Sequence, residues 1–285
     1  MSSALDVVTV SEAVRDAADR LARAGVPAPE VDAELLVAHT RVCTRTRLRL
    51  DASAGLTRAQ HDDLEAMVRR RAARVPLQLI LGSVGFRYLD LEVRPGVFIP
   101  RPETEVLAGE AIVRVPDGGV VVEPCTGSGA VACAVAHESS AGTVVATDTD
   151  GAAVALARRN AAPYAVVRIR QGDLLAPVDP RLRGSVDVLV ANPPYLASRE
   201  WAGLAPEIVR HDPRSALVSG ATGHEVADAL IAEAVTWLRT GGWLLLEVDV
   251  TRAEETSARC CRAGLRDAQV VADLTGADRI VVARR

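Results

Sequence analysis

The chain has 285 residues, 49% of them hydrophobic and 25% charged, which is enough apolar material for a sizeable core and unlike a disordered composition. That length suits one large domain beside a smaller one. The formal net charge is −4, and residues 1–80 are near neutral with 12 Arg against 11 acids, which disfavours a generic nucleic-acid binder, since these are usually basic. All 33 basic residues are Arg, a bias that, with so much Ala and Val, reads as codon usage in a GC-rich genome; thermal adaptation would tend to add Lys too.

Cys43, Cys125, Cys133, Cys260 and Cys261 are odd in number and lack both disulfide-framework and zinc-site spacing, so buried thiols are expected for most. The five His likewise show no metal-ligand spacing, and no metal is predicted. No uncharged apolar run reaches membrane-spanning length. Asp6 and Glu12 stand where a signal peptide would carry basic and then apolar residues, so the expected location is the cytoplasm.

Residues 9–75 read as a small helical bundle. Thr9 or Ser11 caps a helix with Val14, Ala17, Ala18 and Leu21 at helical spacing, and Gly25 and Pro27 stop it. A second helix carries Val31, Leu35, Leu36 and Ala38. A third runs from after Thr57 to Arg74 and ends at Pro76. Residues 77–98 alternate apolar residues with Gly82, Gly85 and polar ones, and predict a β-hairpin linker. The expected domains are 1–76, helical; 77–98, linker; and 99–285, catalytic.

From about residue 99 strand and helix alternate. The predicted strands are 120–122, 143–147, 166–170, 186–191, 243–248, 268–272 and 280–283; the predicted helices are 130–137, 152–160, 224–238 and 252–263. This pattern predicts an α/β fold, a mostly parallel sheet covered by helices on both faces.

The first of these strands ends in Glu123-Pro124-Cys125-Thr126-Gly127-Ser128-Gly129, where glycines allow a tight turn and close approach to a ligand. Alone, that loop would equally suit a dinucleotide. Asp148 ends the next strand, about 20 residues on, where a ribose-binding acid belongs. Asp173, beside Leu174, ends the third and can accept from an adenine amino group. Either acid alone could be a turn or cap residue; two on successive strands beside a glycine loop point to a nucleoside. Glu123 would repel a pyrophosphate but suits the sulfonium and amino group of S-adenosyl-L-methionine, which tilts the expected cofactor that way.

Asn192-Pro193-Pro194-Tyr195 follows the strand at 186–191. A planar nitrogen with a delocalised lone pair is a poor nucleophile. The Asn192 side-chain oxygen and the Pro193 carbonyl can each accept one of its N–H bonds, aiming the lone pair and favouring the positive charge that develops on methylation. The two prolines stiffen the loop, and Tyr195 can pack on the planar group.

With Phe98-Ile99-Pro100-Arg101-Pro102-Glu103-Thr104-Glu105, the glycine loop and Asn-Pro-Pro-Tyr together, nearly the whole chain resembles the HemK-type release factor glutamine methyltransferases. Asp32-Ala33-Glu34-Leu35-Leu36, Arg210-His211-Asp212-Pro213, Gly241-Gly242-Trp243 with Glu247, and Asp273-Leu274-Thr275-Gly276 with Arg279 add to it. The resemblance implies a class I, Rossmann-like methyltransferase with a helical N-terminal domain that helps dock a class I peptide release factor, the target being the glutamine of its Gly-Gly-Gln loop. It further implies that Phe98, Pro100 and Arg101 line the pocket, although a salt bridge to a nearby acid is open for Arg101. The sequence departs from the family pattern at Glu123, Pro124 and Cys125, where the family usually has Asp, a variable residue and Gly. A Cys-Thr-Gly-Ser-Gly loop resembles the sister branch that acts on a ribosomal-protein glutamine. Alternatives are therefore a paralogue acting on that protein or a small molecule, a nucleic-acid adenine methyltransferase, or a non-catalytic binding protein. For the adenine reading the Arg69-Arg70-Arg71-Arg74 cluster is the one basic candidate, and such a run on a helix end is usually a solvated face.

Overall fold

A computed structural model describes residues 8–285 and divides the chain into two compact units that meet at Gly82 and Ser83. The charge pattern read at Asp6 lies outside the described residues.

The first unit is all helix: α1 Val10–Arg23, α2 Pro29–Thr40, α3 Arg45–Leu50, α4 Arg58–Ala72 and α5 Leu77–Leu81. Thr9 starts α1 with a reciprocal cap, its hydroxyl accepting from the Glu12 amide at 3.3 Å while the Glu12 carboxylate accepts from the Thr9 amide at 2.9 Å. Thr57 and Gln60 do the same for α4. Ala17 and Leu21 of α1, Leu36 and Val37 of α2, and Leu64 and Val68 of α4 form the buried seam.

Three details depart from the sequence reading. α3 was not predicted, because three of its six residues are Arg and only Leu48 is buried; the Thr44 hydroxyl, accepting from the Arg47 amide, starts it. Leu77–Leu81 is a helical turn, not the first arm of a hairpin: Pro76 precedes it and Gly82, at φ 80°, closes it in the left-handed region. A run of five residues, four of them apolar, carries no period by which helix and strand can be told apart. Third, the arginine run on α4 is not wholly solvated. Arg71 is buried and its Nε donates to Asp32 at 2.7 Å, while Arg74 donates to the Gly25 carbonyl.

The second unit opens with a hairpin confined to β1 Ser83–Phe86 and β2 Leu89–Glu92. α6 Thr104–Ile112 follows, in a stretch the sequence left unassigned. Then come β3 Val120–Pro124, α7 Ala130–Glu138, β4 Thr143–Asp148, α8 Gly151–Asn160, β5 Val167–Gln171, β6 Val186–Ala191, β7 Leu196–Ala197, α9 Pro206–His211, β8 Val218–Gly220, α10 Glu225–Trp237, β9 Leu238–Glu247, α11 Ala253–Arg262, β10 Arg266–Ala272 and β11 Asp278–Arg284.

Seven strands form one sheet in the order β10-β11-β9-β6-β3-β4-β5. The five from β9 to β5 are parallel; β11 and β10 add antiparallel at one edge. Every residue of β6 is buried, as expected of a central parallel strand with both faces covered. Chain order runs outward from β3 through β4 and β5, then jumps back to β6. The carboxyl ends of β3 and β6 therefore flank the reversal of strand order, where open α/β sheets bind ligands.

Replacing Asp32 with Ala strands the Arg71 guanidinium in the helical unit with fewer acceptors. The unit should lose about 3 kcal/mol, read as faster hydrogen exchange of α2 and α4 amides in the full chain. Unchanged protection would show that the pair does not hold the bundle.

Candidate active site

Two loops leave the switch point. The first runs from β3 into α7 and holds three residues in the left-handed region: Cys125 (φ 59°), Gly127 (φ 55°) and Gly129 (φ 82°). At Gly129 a side chain would also crowd α8, since a Cβ there would stand 3.1 Å from the Cβ of Ala157. Cys125 has no such freedom and its conformation costs about 1 kcal/mol, so the loop must be held from outside.

Two carboxylates hold it. The Asp148 Oδ2, at the end of β4, accepts from the Gly127 amide at 2.8 Å, and its Oδ1 from the Asp150 amide at 2.9 Å. The Glu123 Oε2 accepts from the Thr126 hydroxyl at 2.8 Å and from the Ala132 amide at 2.9 Å, which ties the end of β3 to the first turn of α7. Glu123 is 3% exposed. Burial pushes its pKa up to about 8, against the pull of those two hydrogen bonds, so near neutral pH it mostly carries a proton. Burial also raises Asp148, and pushes the Cys125 thiol far above its usual range with the nearby carboxylates adding to the effect.

The second loop is Asn192-Pro193-Pro194-Tyr195. Ala191 of β6 pairs with Leu246 of β9, so Asn192 and Glu247 follow side by side at neighbouring strand ends. The Asn192 Nδ2 donates to the Thr104 hydroxyl oxygen at 3.1 Å. Among the described residues no donor reaches its Oδ1. The backbone amide of Tyr195 donates to the Leu217 carbonyl at 3.1 Å. Burial pushes the Tyr195 phenol up to about 12, with the Glu247 carboxylate adding to it, so it stays protonated.

Both loops open into one cleft. Of the residues predicted from sequence, Phe98, Pro100, Glu123, Cys125, Thr126, Gly127, Ser128, Asp148, Asp173, Leu174, Asn192 and Pro194 line it. Gly129, Pro193, Tyr195 and Arg101 do not. The Arg101 guanidinium is held by Asp212 at 2.5 Å and lies over the Phe98 ring, 5.0 Å from its centroid. It therefore braces a wall of the cleft, and the salt bridge left open for it is present.

Sequence reasoning did not single out Thr104, Asp150 or the cover formed by Pro213, Ser215, Ala216 and Val218 as lining residues. The Arg210–Pro213 block and the motif containing Thr104 stand out in the sequence, but nothing local reveals which of their side chains face a cleft. Four acids line the site (Glu123, Asp148, Asp150 and Asp173) and, among the described residues, no Arg does. Such a wall suits a cationic nucleoside and opposes a phosphorylated ligand.

Known proteins resemble this chain in sequence and in fold. Residues 12–82 match the family description PrmC N-terminal domain, and residues 103–220 match Methyltransferase small domain. The chain is 43% identical over 282 residues to a release factor glutamine methyltransferase of Mycolicibacterium smegmatis, covering 96% of each chain. It is 41% identical over 280 residues to one of Streptomyces coelicolor, covering 95% of this chain and 96% of that one.

The chain belongs to the release factor glutamine methyltransferase family.

A solved methyltransferase structure from Pyrococcus furiosus shares the fold, with TM-score 0.52 and 20% identity over 77% of this chain and 96% of that one. Within the family frame, the departures at Glu123 and Cys125 are accommodated locally. Glu123 reaches the Ala132 amide of α7 with its extra methylene, and Cys125 takes the left-handed conformation that a glycine would take.

The unfolded Glu123 carboxyl titrates near 4.5 and the folded one near 8. Its contribution to stability is thus fully present below about pH 4.5 and is lost as pH rises through 8. Glu123→Gln keeps an acceptor for Thr126 and Ala132 without the ionisation. Its unfolding free energy should gain on that of the wild type by a few kcal/mol between pH 5 and 8.5, at about 1.4 kcal/mol per pKa unit. Urea titrations of both proteins across that range check this, and parallel pH curves would mean that Glu123 does not titrate there.

Proposed function

We propose that this enzyme transfers a methyl group from S-adenosyl-L-methionine to the side-chain amide nitrogen of the glutamine in the Gly-Gly-Gln loop of a class I peptide release factor. The observation that carries this reading is the pairing, across one switch point, of an acid-lined cleft with an Asn192 whose Oδ1 is free to accept. The relatives' names supply the protein substrate.

The cleft fits the cofactor. Asp148 uses one lone pair of each oxygen on backbone amides and keeps others for ribose hydroxyls. Asp173 is exposed toward the cleft and can accept from the adenine amino group. The cofactor supplies, when bound, an electrophilic methyl on a cationic sulfur. Glu123, Cys125, Thr126, Gly127, Ser128 and Gly129 form the turn beneath it, with Leu174 on an adjoining wall.

The remaining work falls to the chain. The Asn192 Oδ1 and the Pro193 carbonyl accept the two N–H bonds of the substrate amide. That fixes its plane and favours the positive charge that grows on nitrogen. Pro193 and Pro194 keep these acceptors from relaxing away. Phe98 and Pro100 bound the same space, Tyr195 and Arg101 support its rim, and the extra proton leaves to solvent once the methyl is in place.

Labelled cofactor with a purified class I release factor tests the reading. Label should appear on the wild-type factor and not on its Gly-Gly-Ala variant. Label on neither, with cofactor still bound, would overturn the substrate. Asn192→Ala should cut turnover by about 10²-fold or more with cofactor affinity nearly intact, and near-normal turnover would sink its role. Asp148→Ala should weaken cofactor binding at least tenfold, about 1.4 kcal/mol, by calorimetric titration; an unchanged dissociation constant would remove it from the ribose site.

A further inference from the structure

Glu247 ends β9, is 2% exposed and does not line the cleft, yet it stands beside Asn192. A buried carboxylate needs partners. Thr104, which is also buried, and Asn192 both lie close enough to favour its ionised form, while its Oε2 has no partner among the described residues.

We infer that Glu247 is the positioning residue that sets which way the Asn192 amide faces. This rests on the reading of Asn192 as the substrate acceptor. Polarity decides the orientation. An ionised Glu247 can only accept, so the Thr104 hydroxyl donates to it. The Thr104 oxygen is then left as an acceptor, and the group facing it at 3.1 Å must be the Asn192 NH2. The Asn192 Oδ1 is thereby turned the other way, into the cleft. Protonated Glu247 reverses the logic. It can donate to Thr104, whose hydroxyl can then donate to Asn192, and the amide loses its reason to keep Oδ1 toward the substrate.

The groups facing Glu247 come from three directions: Glu103 preceding α6, Tyr195 after β6, and Arg279 on β11, itself held by Asp273 at 3.1 Å. Burial dominates and, with Glu103, pushes the Glu247 pKa up to about 7; Thr104, Arg279 and Asn192 oppose it. The switch in orientation therefore falls near neutral pH.

The sequence makes a direct test available, since Asn160 and Asn192 are its only two asparagines. In ligand-free protein labelled with ¹⁵N-asparagine, the Asn192 side-chain NH2 signal should titrate near pH 7 and the Asn160 signal should not. The Asn192 titration should vanish in Glu247→Gln. No titration in the wild type, or the same titration in the variant, would overturn the inference without touching the proposed reaction.

Activity provides the second arm. Wild-type kcat should fall as pH drops below about 7, and Glu247→Gln should lose that limb. Glu247→Ala and Thr104→Val should each lower kcat about tenfold or more with cofactor affinity unchanged, and the double variant should be no worse than either single one. Thr104→Ser should recover most of the loss. If both single variants turn over within twofold of wild type while Asn192→Ala is dead, the positioning role fails and the proposed function stands. If Asn192→Ala itself is active, the acceptor role of Asn192 on which this inference rests fails, while labelling of the release factor decides the proposed function separately.

Discussion

β3 and β6 lie side by side and parallel, with their carboxyl ends pointing the same way, and the chain departs from them toward opposite edges of the sheet. No helix can cover the gap above both strand ends. That gap is what every feature of the site uses. The glycine loop turns over one side, Asn192-Pro193-Pro194-Tyr195 over the other, and the depth of the sheet beneath them excludes water. Without the reversal, the Glu123–Gly129 loop and the Asn192–Tyr195 loop would be separated by a packed helix and could not share one cleft.

The price of the gap is a set of carboxylates with little solvent. Asp148 and Glu123 each bind two donors around the cofactor loop, and burial raises both. Proton uptake lets an acid wall exist before any cation is present. A cationic ligand would favour the ionised forms and drive some of those protons off, so on the proposed reading cofactor affinity and pH would be linked through the same groups that shape the loop.

Much of this was legible in the sequence because it is written in strong local signals. Val120–Val122 and Val186–Ala191 are apolar runs bounded by turn residues, and both are strands. The spacing of Asp148 and Asp173 after the glycine loop placed both on the cleft wall. What was illegible depends on tertiary packing. α3 hides behind arginines that pair with Glu34 and Asp51. α6 has an almost featureless apolar pattern, and its place is set by the buried Leu107, Ala108 and Ala111. Leu77–Leu81 is too short to show a period, and it packs Leu79 and Ile80 as a helical turn. The cover over the cleft rests on Asp212 meeting Arg101 across 111 residues, a contact that no window of sequence can contain.

The same distinction separates Asn192 from the residues that make it useful. The motif announces an amide and two prolines. It does not say which end of the amide faces the substrate, and an amide turned the wrong way would offer donors to a substrate that itself brings donors. The direction comes from Thr104, 88 residues earlier, and from the buried acid that closes β9. Because β6 and β9 are in register, any shift of one strand past the other would move Glu247 away from Asn192. The register shifts once, between the Val186 and Val188 pairs at the far end of that strand pair, where Gly241 takes φ 82° and Arg239 is held by Asp187. Specificity at the acceptor is in this sense a property of sheet register as much as of the motif.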